Sequence, residues 1–178
     1  MIYDTHAHYD DEKFDNDRVE LLSHLLGENN IGSVVNVGAN LKGSQKSIEL
    51  AEKYPNVYAA IGVHPEDIDE LDESGIDWLR KNSNNPKVVA IGEIGLDYYW
   101  VKEKEQREKQ IFWFKKQIEL AKELNLPINV HSRDACEDTL NIISEYNDDN
   151  LSGIIHCFSY TKEIAKCKRN FSSVNPLL

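Results

Sequence analysis

Along this chain short apolar runs alternate with longer amphipathic ones. Runs rich in Val and Ile occupy residues 2–5, 33–37, 57–63, 88–91, 128–130 and 153–155. They are brief and almost continuously hydrophobic, the pattern of strands buried on both faces. Between them, apolar positions recur at helical spacing. Val19, Leu22, Leu25 and Leu26 form one stripe, closed by Gly27. Ile111, Phe114, Ile118 and Ala121 form another; Leu124 extends it, and Pro127 then opens the next run. Leu140 and Ile143 mark a shorter helix, and helices also fit residues 48–53 and 76–81.

Strand, helix, strand, repeated, predicts parallel strands joined by right-handed crossovers. Two architectures satisfy the pattern, an α/β barrel and an open doubly wound sheet. No glycine-rich phosphate fingerprint follows the first strand, which weighs against the open sheet.

Composition narrows the functions. The chain has 178 residues, 31 acidic and 20 basic, for a formal charge of −11. Such a balance argues against a protein that holds nucleic acid on a broad basic surface, but not against an enzyme that meets phosphates through bound metal. A 40% hydrophobic and 29% charged chain is that of a globular protein. No apolar run approaches a membrane span, and the first residues carry no signal-peptide pattern. Cys136, Cys157 and Cys167 form no paired motif. The expectation is a cytoplasmic protein with free thiols and no obligatory protein partner.

The candidate chemistry gathers at strand ends. His6 and His8 follow the first strand, His64 the third, His131 the fifth and His156 the sixth; Glu93 follows the fourth in Gly92-Glu93-Ile94-Gly95-Leu96-Asp97. Of the six histidines, His24 alone falls in a helix. The C-terminal ends of parallel strands are where barrels and open sheets build their sites. His6 and His8 share a side of extended backbone, and Asp4 has the parity to orient one of them. Each residue taken singly has a plain alternative: loop histidines, a bonded histidine at a strand end, a salt-bridged glutamate. Together, four histidines and a carboxylate suit one or two divalent ions with N and O ligands, and a water-activating hydrolytic centre. Zn, Mg and Mn all remain open. Cys157 reads as a small packed thiol rather than a nucleophile. His64 and Arg133 are placed to contact an anionic substrate, although Arg133 equally suits an ion pair. Tyr99, Trp100 and Trp113 suit either base stacking or packing.

The segments DTHAH (4–8), GVHP (62–65), AIGEIGLDYY (90–99), VHSRDA (130–135) and HCFS (156–159) resemble, in order and spacing, the TatD-type metal-dependent deoxyribonuclease family of the amidohydrolase superfamily. The resemblance covers about residues 1–160. It implies a TIM-type (β/α) barrel and a two-metal hydrolase acting on DNA phosphodiesters, at single strands or strand ends. In that scheme His6 and His8 hold one ion, His131 and His156 the other, and Glu93 bridges them. His64, Arg133 and Asp97 match positions near the family's site.

Two departures stand out. Tyr160 occupies a position where the family usually has glycine. Beyond about Lys166 no motif is recognisable, so the family's late aspartate ligand is missing. The expectation is therefore a single, C-terminally truncated barrel domain over residues 1–178, about six of eight βα units, with a divergent tail at 161–178. It carries a marginal or self-associating fold, metal binding, and weak or absent hydrolysis. A non-catalytic remnant, or an amidohydrolase-superfamily esterase or deaminase, is the alternative.

Overall fold

The computed structural model describes residues 2–27, 31–146, 151–161 and 164. Cys167 and most of the 161–178 tail lie outside them. Six strands alternate with five helices: β1 (Ile2–Ala7), α1 (Arg18–Gly27), β2 (Ile31–Val37), α2 (Leu41–Lys53), β3 (Val57–Ile61), α3 (Glu73–Asn82), β4 (Val88–Asp97), α4 (Lys104–Leu124), β5 (Ile128–Arg133), α5 (Cys136–Tyr146) and β6 (Gly153–Ile155). Every neighbouring pair is parallel, and the sheet order is β1-β2-β3-β4-β5-β6. This is a TIM-type (β/α) half-barrel of six units. Its curl is visible in side chains that reach across the concave face. Asn129 on β5 donates to the Thr5 carbonyl of β1 at 3.0 Å, although three strands lie between them.

The main core lies between the sheet and its helices. Ile61, Leu79, Ile91, Leu96, Phe114, Ile118 and Ile143 are fully or nearly fully buried there. The concave face is lined instead by small residues, with Val35, Val37, Ala60 and Ala90 in one cluster. Below the site this leaves an apolar hollow of about 150 Å³, whose walls include Thr5, Val35, Ala90, Asn129 and Ile154.

Local chemistry sets the helix ends. Asn40 and Asp72 accept from the amides of Gly43 and Gly75, both at 2.9 Å, and so cap α2 and α3. Asn125, at φ 53°, closes α4 in the left-handed region.

Several expected boundaries move. The fourth strand does not stop at Ile91 but runs to Asp97, pairing with β5 as far as Asp97 opposite Arg133. Its glycines permit this close approach. At Gly95, with φ 146°, an added Cβ would collide with the His131 carbonyl; at Gly92 it would lie 2.5 Å from the Asn129 Cβ. The fifth strand likewise extends to Arg133, so His131 lies within it.

The buried face of α4 also differs from its apolar stripe. Ile111 is only half-buried, whereas Gln110 and Gln117 are buried. Gln117 accepts from the Val63 amide at 2.8 Å and donates to the Val63 carbonyl at 3.1 Å. Gln110 accepts from the Asp97 amide at 3.0 Å and donates to the Pro65 carbonyl at 3.2 Å. These two amides complete backbone hydrogen bonding where β3 and β4 end, so they are buried at little cost. On α1 only Leu22 of the expected stripe is buried, and Val19 faces solvent.

Candidate metal centre

Glu93 is the hub. The β4–β5 register skips it between Gly92 and Ile94, a bulge that turns its carboxylate onto the concave face. The carboxylate is buried and divides its oxygens between two groups of imidazoles. Oε2 lies 3.5 Å from both His6 Nε2 and His8 Nε2. Oε1 lies 2.7 Å from His156 Nε2, 3.0 Å from His131 Nδ1 and 3.6 Å from His64 Nε2. Five histidines from four stretches of chain thus converge on one carboxylate. Two sets are compact enough to share an ion: His6, Glu93 and His156, and His64, Glu93 and His131, each with ligand atoms within 4.8 Å of one another. His64 therefore stands closer to the cluster than its role as a substrate contact requires.

Outer partners fix the ring tautomers. The Asn129 amide nitrogen is committed to the Thr5 carbonyl, so its oxygen faces His6 Nδ1 at 3.0 Å, and that nitrogen donates. His8 Nδ1 donates to the Val37 carbonyl at 2.8 Å. With both rings neutral, the two Nε2 atoms are bare acceptors only 2.9 Å apart, beside a carboxylate oxygen. Three lone-pair donors facing one point repel one another unless a cation lies between them. The donor set fits a divalent ion with nitrogen and oxygen ligands. The orienting groups are Asn129 and Val37 rather than Asp4, whose carboxylate accepts from the His6 backbone amide at 3.1 Å.

His64 is held the other way round. The Glu66 amide donates to its Nδ1 at 3.2 Å, leaving the proton on Nε2, which faces the cluster. Burial brings its pKa down to about 4, so it is a neutral donor at neutral pH. Burial also lowers His156, and Glu93 does not fully offset it. Burial alone would lower His131 too, but hydrogen bonds and charge from Glu93, then Asp97, hold it above the ordinary imidazole value. Burial would raise the Glu93 carboxyl; hydrogen bonds from His131 and then His156 instead hold it far below the ordinary range.

Asp97 is the member that sequence reading left without a role. Its carboxylate is 1% exposed, and Oδ2 lies 3.0 Å from His131 Nε2. Oδ1 accepts from the amides of Tyr99 and Trp100, at 2.9 and 3.2 Å. The signal was present: Glu93, Gly95 and Asp97 share a strand face once the run is carried past Gly92.

Arg133 lies at the rim, its guanidinium carbon 3.8 Å from the centre of the Tyr99 ring. Cys157 is exposed, not packed. The sixth strand ends at Ile155, and Cys157 sits in a turn at φ 44°, so strand alternation does not apply to it. Tyr160 anchors its hydroxyl beside Ser132 Oγ, at 2.9 Å.

The family description that matches this chain is "TatD related DNase", over residues 3–175. The chain belongs to the TatD family. The match runs beyond Lys166, where the recognisable motifs stop. The chain is 41% identical to a Bacillus subtilis protein named uncharacterized metal-dependent hydrolase YabD, over 96% of this chain and 67% of that one. It is 30% identical to the 3'-5' ssDNA/RNA exonuclease TatD of Salmonella typhimurium, over 91% of this chain and 61% of that one. Among solved structures, the TatD homologue YJJV of Escherichia coli superposes with a TM-score of 0.81 at 28% identity, covering 93% of this chain and 63% of that one. The chain thus spans about two thirds of the length of these relatives.

Proposed function

We propose that this half-barrel supplies the metal centre of a hydrolase that cleaves phosphodiester bonds in nucleic acid, single-stranded DNA above all. The observation that carries the reading is the facing pair of bare Nε2 atoms on His6 and His8 beside Glu93 Oε2. The family membership and the exonuclease named among the relatives support the choice of substrate.

His6 and His8 would hold one divalent ion with Glu93 Oε2, and His131 and His156 a second with Glu93 Oε1. Bound there, such ions lower the pKa of a water molecule and withdraw charge from a phosphoryl oxygen. The chain's own residues do the rest. Asn129 and the Val37 carbonyl keep the Nδ1 protons of His6 and His8 engaged, so Nε2 stays available. Asp97 orients His131 and shares the electrostatic cost of its proton. His64 offers a neutral N–H to a phosphoryl oxygen, and Arg133 a fixed positive charge at the rim. Glu93, kept ionised, would supply one carboxylate oxygen to each ion.

Chelator-stripped protein should take up Zn, Mn or Mg in a calorimetric titration, and the loaded protein should shorten a labelled single strand. His131→Ala should abolish cleavage and remove part of the metal uptake. Loaded protein that leaves nucleic acid strands intact while hydrolysing a simple ester or amide would place the chemistry elsewhere in the superfamily.

A further inference from the structure

The turn after β4 carries a surface that the metal centre does not use. Tyr99 is 43% exposed and Trp100 64%, with their ring centres 4.6 Å apart and their planes at 88°. Arg133 covers the Tyr99 ring and lies 5.7 Å from the Trp100 ring. In a chain of charge −11, Arg133 has no carboxylate partner among the described residues. Large apolar rings left in water at the rim of a polar site, beside an uncommitted guanidinium, mark a binding surface rather than a packing one. The surface is also held in place. The Tyr98 amide donates to the Arg133 carbonyl at 2.8 Å, and Lys102 donates to the Tyr98 carbonyl at 2.8 Å. Asp97 ties it to the site, because the carboxylate that touches His131 also accepts from the Tyr99 and Trp100 amides.

The geometry points to a nucleobase subsite: an unpaired base of the substrate strand stacks on Trp100, while Arg133, propped on Tyr99, pairs with the adjoining phosphate. Stacking accepts any base, since each presents a π-face, and it requires a base free of its complement. The subsite therefore selects single strands and frayed ends over intact duplex. This inference rests on the proposed action on nucleic acid strands.

The test compares a fluorescein-labelled oligothymidylate with the same strand carrying abasic positions. Binding to the full, chelator-treated chain is read by anisotropy and by quenching of tryptophan fluorescence; the metal-loaded chain supplies KM and kcat. Wild type should bind the base-bearing strand roughly tenfold more tightly than the abasic one, the range of one base–aromatic stack. Trp100→Ala should erase that difference and raise KM far more than it lowers kcat. Trp100→Phe should restore most of it. Arg133→Gln should weaken both strands alike and flatten the salt dependence. If Trp100→Ala keeps the wild-type preference for bases, or if wild type shows none while still cleaving strands, the subsite is refuted and the hydrolase reading stands. If no strand is bound or cleaved by any form, both fall.

Discussion

Replacing Asn129 by Leu keeps the branching of the side chain and deletes two hydrogen bonds, to His6 Nδ1 and to the Thr5 carbonyl. His6 then loses the partner that fixes its tautomer, and metal affinity should fall roughly 10- to 100-fold. Competition against a chromogenic chelator reads this directly. An unchanged affinity would mean that the ring is held by its stacking on His156, at 3.8 Å between centres, rather than by Asn129. At this scale the sequence was legible where chemistry shows in single letters. Histidines at strand ends, and the shared parity of His6 and His8, predicted the convergence that the structure displays. Asn129 was not legible, because a lone asparagine within an apolar run looks the same whether it bonds a ring nitrogen or a backbone group.

Helix α4 secures the strand ends through side chains rather than through apolar contact alone. Gln117→Ala would leave both the amide and the carbonyl of Val63 without partners in a buried place. The cost should be about 2–4 kcal/mol, read as a shift of the urea midpoint at constant slope. A shift below about 0.5 kcal/mol would show that water replaces the amide. Element order and parallel pairing were readable from alternating periodicity. The extent of β4 was not, because Gly92 and Gly95 look like strand breakers in sequence. In the fold they are the residues that let β4 press against the backbone of β5. Asp97 matched a family position but was left without a role at that boundary, since a residue assigned to a loop has no face.

The whole molecule carries the cluster's electrostatics into its stability. An unfolded histidine takes up its proton near pH 6.5, whereas folded His64 resists until about pH 4. The unfolded state therefore binds more protons through that window, and metal-free protein should lose stability as pH falls from 6.5 to 4. The loss from His64 is on the order of 3 kcal/mol, and His156 adds in the same direction. His131 has the opposite sign: its raised pKa contributes stability below pH 6.5 that is lost as pH rises through the folded value. Urea midpoints of wild type and His64→Gln at pH 7 and 4.5 should converge towards the acid side. Parallel curves would remove His64 as the source. Among the described residues β1 and β6 have one strand neighbour each, and Ile2 on β1 is 61% exposed. Light scattering of the chain should rise with concentration, and Ile2→Lys should reduce it. The curl follows from six successive parallel strands joined by helices, and the family motifs pointed to a barrel when periodicity alone left an open sheet possible.

The path of Asn129 across the sheet also imposes an order in time. His6, His8 and Glu93 all leave the ribosome before Asn129 does, and His131 and His156 follow it. A nascent chain that ends short of the fifth strand holds three donors with no lock on His6. The first ring is therefore set only once the fifth strand is in place, when a single amide reaches back to the first strand.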